Sequence, residues 1–202
     1  MAVFFHGSSV YFEKFDLAHA MEGDGKCKFG YGAYFTEDFA SAAHYAYNKK
    51  RPENREYYVY TVEIPDLTLD NSLPLHKQVP VPAGILGRAE RKLGVTFPEE
   101  ATAEGIPFRK YLANWLTGVR KSAKQMTAKA TLEGEKAAAE FLLSIGVELI
   151  VWPFLWKDPH GKRNMAVLDS GKIRILRIDQ VDLDPKEHHL VGFSERLVKE
   201  FK

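Results

Sequence analysis

The sequence predicts an α+β fold with a split, mostly antiparallel β-sheet and a helical insertion near the middle of the chain. Strand-like segments fall within residues 3–64 and again within residues 147–178, whereas residues 84–145 are rich in alanine, leucine, lysine and glutamate. The glycines near residue 30 lack the third glycine of a Gly-x-Gly-x-x-Gly dinucleotide motif, which argues against a doubly wound βαβ series. We expect residues 1–202 to form one domain.

The composition is that of an ordinary globular chain without a dominant surface charge. Apolar residues make up 45% of the sequence, which is enough for a sizeable core. The formal net charge is +1, so any attraction to nucleic acid or anionic lipid must come from a local patch. Cys27 is the only cysteine, which excludes an internal disulfide and fits a reducing compartment, so we expect a cytoplasmic protein. We expect neither a cleaved leader nor a membrane anchor.

The first part of the chain predicts two short strands followed by a helix. Residues 3–5 are typical of a strand that runs into His6-Gly7-Ser8, and residues 32–35 are typical of a second strand flanked by glycine. Thr36 is the predicted N-cap of the helix, and the basic residues 49–51 mark its C-terminal end. The residues at helical spacing are Phe39, Ala42, Ala43, Ala46 and Tyr47.

The rest of the chain predicts strands on both sides of the helical insertion. Residues 57–64 alternate and are rich in valine and tyrosine, as in a strand, and a proline-rich stretch follows at 74–82. The insertion at about 84–145 is expected to hold two or three helices. Asp-Pro-His-Gly and Asp-Ser-Gly predict turns between the late strands. Those strands are residues 147–152, 165–168 and 172–178.

A series of short motifs carries a resemblance to a known family. In chain order the motifs are His6-Gly7-Ser8, residues 12–15, 22–25, 30–35, 62–65 and 164–169. On these residues the chain resembles the ADP-ribosyltransferase fold of the histidine-tyrosine-glutamate class, which includes poly-ADP-ribose polymerases and diphtheria toxin. It is most similar to the ADP-ribosyltransferase domains of bacterial and phage polyvalent proteins and toxins. The similarity covers about residues 3–178 and is specific in order and spacing.

The resemblance implies a split sheet of the ADP-ribosyltransferase type that binds NAD across the split. It implies that the backbone of Gly7 bonds the nicotinamide carboxamide and that His6 bonds the adenosine ribose. It also implies that Tyr34 stacks on one face of the nicotinamide and Tyr45 covers the other, which is a favourable arrangement for a flat ring. The full predicted NAD-binding set is His6, Gly7, Ser8, Tyr34, Phe35 and Tyr45.

The implied reaction is displacement of nicotinamide at the ribose, with His6, Tyr34 and Asn164 as the catalytic residues. Asn164 stands where the polymerases have a glutamate, and Ala42 stands where they have a serine that donates to the carboxamide. An amide can bond a ribose hydroxyl but cannot accept a proton, so we expect single transfers without polymer growth. The acceptor must then supply its own nucleophilicity.

Residues 105–131 predict a nucleic-acid contact. They include basic residues interleaved with Phe108, Tyr111 and Trp115 and contain no acidic residue. The alternative is a solvated helix whose aromatic residues face the core. An RNA or DNA acceptor is therefore permitted, and a protein acceptor is not excluded. The candidate contacts are Arg109, Lys110, Arg120, Lys121 and Lys124.

The overall hypothesis is an NAD-dependent mono-ADP-ribosyltransferase that acts as an intracellular toxin or anti-phage effector, for which an antitoxin partner is a reasonable expectation. RNA is slightly favoured as the acceptor over protein. No metal site is predicted, because the histidines lack ligand spacing with Cys27 or with a carboxylate cluster. Two other functions stay open: a non-catalytic module that binds a nucleotide or partner, and an NAD glycohydrolase. Asn164 itself has an alternative interpretation as a turn residue after Gly161.

Overall fold

A computed structural model of the chain describes residues 3–20, 27–47, 56–194 and 199–201. These residues form a mixed fold with a mostly antiparallel sheet, which confirms the predicted α+β class. The strands are β1 (Val3–Ser8), β2 (Ala33–Thr36), β3 (Tyr57–Glu63), β4 (Ser72–Pro74), β5 (Leu149–Leu155), β6 (Asp158–Val167), β7 (Arg174–Leu183), β8 (Leu190–Phe193) and β9 (Lys199–Glu200). The helices are α1 (Phe39–Ala46), α2 (Ala83–Leu93), α3 (Glu99–Thr102), α4 (Gly105–Leu116), α5 (Ala123–Ala128) and α6 (Leu132–Ser144).

One sheet runs through the described residues in the order β4-β5-β6-β2-β1-β3-β7-β8, and β9 also pairs with β7. The β4–β5 pair is parallel, and the remaining pairs are antiparallel. Late strands therefore lie on both sides of the first three strands: β6 lies beside β2, and β7 lies beside β3. None of the helices in these ranges has the length and apolar character needed to cross a bilayer.

Helix α1 begins later than the sequence predicts. Its N-cap is Asp38, whose carboxylate accepts a hydrogen bond from the backbone N–H of Ser41 at 2.8 Å. Asp is a stronger cap than Thr, and Thr36 is already committed to β2, so the prediction of Thr36 as the cap is wrong. The basic segment 49–51 and the motif at 22–25 lie outside the described residues.

The turn between β5 and β6 also differs from the prediction. Asp-Pro-His-Gly belongs to β6, and the chain reverses at residues 156 and 157, where Leu155 pairs with Asp158. Pro159 is tolerated in a strand here because β2 pairs only with residues 164–167 of β6, which leaves the first half of β6 at a sheet edge. The late strands are accordingly longer than predicted.

The helical insertion contains five helices over residues 83–144 rather than two or three. Gly94 ends α2 in the left-handed conformation, with φ of 65°, and Gly118 follows α4 with φ of 76°. Pro98 then precedes α3. Composition alone indicated the helical content, while these breakers set the number of helices.

The sheet has two differently covered faces. One face is buried under the loop that carries Phe12 and Phe15, and its core includes Phe4, Phe35 and Met165. On the other face α1 packs against β1 and β3, whereas the helical insertion packs against residues of β5 and β6. Strand β2 pairs with both β1 and β6, so it lies between the strands that these two helical units cover.

Strands β1 and β2 share fewer paired residues than any other two paired strands of the described residues. Their ladder contains a single residue pair, Phe5 with Thr36. In contrast, β1 pairs with β3 along all six of its residues, and β2 pairs with β6 along all four. The sheet therefore consists of two well-paired halves that are joined at one point.

Helix α1 rests directly on the backbone of β1 at Gly7. A Cβ atom at Gly7 would lie 1.7 Å from the carbonyl oxygen of Ala42 and 2.7 Å from the backbone nitrogen of Ala46. Both neighbours are backbone atoms of a helix, so neither can move without moving α1. The absence of a side chain at Gly7 thus sets the distance between α1 and the sheet.

We expect Gly7→Ala to lower the free energy of unfolding by about 1–3 kcal/mol or more, because the new methyl group collides with helix backbone. Gly87→Ala is the matched control: it lies inside α2, its Cβ would meet only the tip of Arg91 at 3.4 Å, and a gain of up to about 1 kcal/mol is expected from helix propensity. Thermal and chemical denaturation measure both. Equal stability of the two variants would contradict the close packing of α1.

Candidate active site at the β1–β2 junction

Hydrogen bonding across the junction is taken over by a side chain. If the β1–β2 ladder continued from the pair Phe5–Thr36, Gly7 would face Tyr34. The ladder stops instead, and Nδ1 of His6 lies 2.8 Å from the carbonyl oxygen of Tyr34. A carbonyl only accepts, so Nδ1 carries the proton and donates, which leaves Nε2 as an acceptor when the ring is neutral.

Aromatic side chains surround the imidazole of His6. Its ring centroid lies 5.2 Å from that of Phe15 and 5.6 Å from that of Phe35. Burial lowers the pKa of His6 below its usual value of 6.5, and the hydrogen bond to the Tyr34 carbonyl offsets part of this shift. The hydroxyl of Tyr60 fixes the covering loop, since it accepts from Phe12 N–H at 2.8 Å and donates to the Val10 carbonyl at 3.0 Å. His6 is therefore neutral at physiological pH.

The side chain of Tyr34 lies on the opposite face of the sheet from His6 and is held at its hydroxyl. That oxygen donates to the carbonyl of Gly30 at 2.8 Å and accepts from the N–H of Phe29 at 2.9 Å. Burial raises the pKa of the Tyr34 phenol well above its usual range. The phenol thus stays protonated, so Tyr34 supplies an oriented ring rather than an acid or a base.

An aromatic row that the sequence analysis did not identify continues from Tyr34. Trp152 meets the Tyr34 ring edge-on at 5.3 Å, and Phe29 stacks on Trp152 at 4.4 Å. Trp152 pairs with Asn164 across the β5–β6 ladder. The sequence analysis placed Trp152 in a strand but did not give the register of β5 against β6, and that register brings Trp152 beside Asn164.

Asn164 lies inside β6, so its alternative interpretation as a turn residue is wrong. It pairs with Thr36, and its neighbour in the ladder, Ala166, pairs with Tyr34. Residues directly opposite each other share a face, so the side chains of Asn164 and Tyr34 project from the same side of the sheet. The Asn164 amide is half-buried and forms no hydrogen bond to any residue that the structure describes.

An ion pair next to Asn164 fixes the start of this part of β6. Glu37, directly after β2, accepts from the backbone N–H of Arg163 at 2.7 Å and from its guanidinium at 2.5 Å. The contact between the guanidinium and the Glu37 carboxylate is bidentate and half-buried. Glu37 is therefore bound to Arg163 and is not a free carboxylate at the junction.

Tyr45 lies on α1 at the same side of the sheet as Tyr34. It follows Ala42, whose carbonyl covers Gly7, by three residues, and 70% of its surface is exposed. Its ring contacts His44 at 5.7 Å and does not contact the ring of Tyr34. The two tyrosines therefore belong to two different structural units, and one of them is fixed while the other is exposed.

Two further residues of the predicted NAD-binding set point away from the Tyr34 face, as His6 does. Phe35 is 3% exposed and lies in the core beneath His6, where its ring supports the imidazole. Ser8 lies on the His6 face at the end of β1, where its hydroxyl accepts from the N–H of Val10 at 3.0 Å. The predicted set is thus divided between the two faces of the sheet.

Arg109 is the clearest departure from the predicted nucleic-acid set. It is 1% exposed and forms an ion pair with Glu135 of α6, so its guanidinium cannot contact a phosphate backbone. Burial lowers its pKa to about 10, which still leaves it charged at neutral pH. The sequence did indicate that Arg109 is buried, because Arg109 lies at helical spacing from the other buried residues of α4. The residues on that buried face are Gly105, Phe108, Arg109, Leu112 and Ala113.

Arg109 ties the helical insertion to the loop that holds Tyr34. Its guanidinium donates to the carbonyl of Lys28 at 3.3 Å, and its side chain packs against Gly30. Gly30 has φ of 116°, and a Cβ there would lie 2.6 Å from the side chain of Ile150. The loop before β2 is therefore compressed between α4 and β5, which positions the groups that bond the Tyr34 hydroxyl.

The other predicted nucleic-acid residues lie at the surface of α4, α5 and their connection. The ammonium of Lys110 is half-buried and donates to the carbonyl of Ala128 at 2.8 Å. Arg120 is exposed and lies over the ring of Trp115 at 4.0 Å. Lys121 and Lys124 are exposed.

Two cavities of the described residues lie away from the junction. One cavity of about 500 Å³ lies along the outer side of α6, and another of about 190 Å³ lies beside Tyr57 and Asp184. Neither is lined by His6, Gly7, Tyr34 or Asn164. Within the described ranges no three His, Cys, Asp or Glu side chains gather into a metal-binding group.

Comparison with known proteins adds no family assignment. No protein-family model, no curated protein and no solved structure matches the chain.

We expect the half-buried imidazole of His6 to make stability depend on pH. Its pKa is lowered in the fold, so the unfolded chain binds more protons at acidic pH, and the contribution of neutral His6 is complete above pH 6.5 and is lost as the pH falls. Unfolding of the wild type and His6→Gln at pH 7.5 and 5.0 measures the difference. The exposed His189→Gln is the control and should follow the wild type. Parallel pH profiles of wild type and His6→Gln would contradict a half-buried neutral ring.

We expect Arg109→Met to lower the free energy of unfolding by about 3–5 kcal/mol, because it leaves the Glu135 carboxylate buried without its partner. The double variant Arg109→Met with Glu135→Leu should regain most of that loss, since no buried charge remains. Urea denaturation of the two single variants and the double variant measures the coupling. Additive losses would show that the two side chains do not interact.

Proposed function

We propose that this chain is an NAD-dependent mono-ADP-ribosyltransferase built on the ADP-ribosyltransferase type of split sheet. The observation that carries the proposal is the β1–β2 junction, where the ladder stops after one residue pair, just before Gly7 and Tyr34 would face each other. The His6 side chain reaches the Tyr34 backbone where the ladder stops, and α1 rests directly on Gly7. This is the arrangement that the motif series implies for a nicotinamide site.

In this proposal the nicotinamide lies against Gly7, with Tyr34 on one side and Tyr45 on the other. Tyr34 needs no rearrangement, because Gly30 and Phe29 already fix its hydroxyl. Tyr45 is exposed and closes over the bound ring from α1. Nε2 of neutral His6 accepts a hydrogen bond from an adenosine ribose hydroxyl, since its Nδ1 proton is used by the Tyr34 carbonyl.

The proposed reaction is a displacement at the anomeric carbon of the nicotinamide ribose. The bond from that carbon to the pyridinium nitrogen breaks, and its electron pair leaves with neutral nicotinamide. A nucleophilic oxygen or nitrogen of the acceptor forms the new bond and releases its proton to water. The Asn164 amide bonds the ribose hydroxyl and holds the sugar, but it cannot take that proton. Growth of a polymer, which needs activation of a sugar hydroxyl, is therefore not expected.

A transferase with these properties suits an intracellular toxin or anti-phage effector that acts in the cytoplasm on a macromolecule. Such an activity would require restraint in its own cell, which favours an antitoxin partner. The absence of a carboxylate at position 164 keeps the alternative of a non-catalytic module on the same fold. Nicotinamide release without an acceptor would instead define an NAD glycohydrolase.

Incubation of the purified chain with NAD labelled in its ADP-ribose part, in the presence of total RNA, single-stranded DNA or protein extract, tests the proposal. We expect label transfer and release of nicotinamide. Tyr34→Ala should reduce both about a hundredfold or more, because the ring that orients nicotinamide is removed. Tyr11→Ala, which removes an exposed tyrosine that contacts Tyr58 and Glu13 rather than the junction, should leave both unchanged.

Two outcomes identify the alternative functions. Saturable NAD binding without nicotinamide release identifies a binding module, and free ADP-ribose without transfer identifies a glycohydrolase.

Tyr34→Phe keeps the ring but loses the bonds to Gly30 and Phe29, so it should retain more activity than Tyr34→Ala. Full activity of a folded Tyr34→Ala protein would place the active site elsewhere.

A further inference from the structure

The segment from the end of α4 to the end of α5 presents a cluster of cations that form no ion pair with an acidic side chain of the described residues. We refer to the exposed residues Arg120, Lys121, Lys124 and Lys129 as the basic ridge. Residues 105–131 contain no Asp or Glu. The neighbouring helix α3 carries Glu99 and Glu100, yet no residue that the structure describes forms an ion pair with Lys121, Lys124 or Lys129.

The backbone under the basic ridge is held rigidly by α4. The amide of Asn114 is buried and donates to the carbonyls of Met126 and Lys129, each at 2.7 Å. The ammonium of Lys110 donates to the carbonyl of Ala128. A capping box formed by Ser122 and Gln125 starts α5. These bonds fix the backbone positions of the lysines, so a ligand need not order this segment when it binds.

Arg120 gives the basic ridge a flat surface as well as charge. Its guanidinium lies 4.0 Å over the ring of Trp115 and is held by bonds to the carbonyls of Trp115 and Val119. The residue is exposed, so the plane that faces away from Trp115 is open to solvent. A nucleobase can stack on such a plane, whereas a lipid headgroup or an acidic side chain gains nothing from it.

The basic ridge and the proposed active site are connected through α4. Arg109 contacts Gly30, whose carbonyl accepts from the Tyr34 hydroxyl, and Trp115 is six residues further along the same helix. That spacing corresponds to a rise of roughly 9 Å from Arg109 to Trp115 along the helix axis. To act as the acceptor, a strand bound to the ridge has to extend to the junction beside Gly7.

From these observations we infer that the basic ridge binds single-stranded nucleic acid and presents it as the acceptor. Binding itself follows from the charges and the Arg120 plane, while the acceptor role rests on the proposed transferase function. Arg109 takes no part, because it is buried, and Lys110 acts through the backbone of α5. Lys129 joins the set that the sequence analysis named.

Fluorescence anisotropy with a labelled 12-nucleotide RNA and a DNA of the same sequence, without NAD, tests the binding. Replacement of Lys121, Lys124 and Lys129 by Gln should weaken binding about tenfold at low salt and make the salt dependence shallower by about 2 in log–log slope. The control replaces Lys14, Lys77 and Lys186 by Gln, three exposed lysines elsewhere, and should bind like the wild type. RNA bound more tightly than DNA identifies RNA as the acceptor class, and the reverse identifies DNA.

Arg120→Lys separates stacking from charge. It keeps the cation but removes the plane, so oligonucleotide binding should weaken several-fold while binding of inorganic polyphosphate stays the same. Equal losses in the two lysine triple variants, no binding by the wild type, or binding of phosphatidylserine vesicles in place of oligonucleotides would each overturn the inference. Intact oligonucleotide binding without any turnover of NAD would refute the transferase proposal alone.

Discussion

The hydrogen bond from the His6 imidazole to the Tyr34 carbonyl joins two halves of a sheet that otherwise share one residue pair. A continuous ladder at this point would leave no exposed backbone beside Gly7, and a complete separation would leave the two halves without a fixed relation. A side chain that spans the junction avoids both outcomes, because the imidazole reaches further than a backbone N–H. The covering loop with Phe15 then keeps the ring neutral and in place.

A second constraint reaches the same site from the helical insertion. Arg109 and Glu135 form a buried ion pair, and both groups lose hydration when they are buried. The intact pair therefore adds little to the free energy of unfolding, whereas removal of one partner lowers it strongly because a buried charge is left unpaired. Its position gives it another use. The guanidinium also bonds the loop at Lys28 and packs against Gly30, which transmits the position of α4 and α6 to the hydroxyl of Tyr34. The insertion is thereby part of the scaffold of the junction rather than an appendage.

The groups at the junction are uncharged at physiological pH. His6 is neutral because its pKa is lowered, Tyr34 is protonated because its pKa is raised, and Asn164 carries an amide. The nearby Glu37 is occupied by Arg163. Such a site is poorly equipped for proton transfer and well equipped to position a flat ring and a sugar. This is the physical ground on which single displacement is favoured over chemistry that needs a general base.

Sequence by itself determined the α+β class, the placement of strands on both sides of a helical insertion, and the presence of strands near His6 and at Tyr34, because these depend on local periodicity and on short motifs. It also held unused information, since the spacing of Arg109 among buried residues of α4 indicated an inward side chain. Tertiary structure alone decided that His6 and Tyr34 point to opposite faces, that Phe35 is core, and that Asn164 lies opposite Thr36. Those facts depend on strand register and on contacts between distant segments, and a one-residue change of register would reverse every side chain.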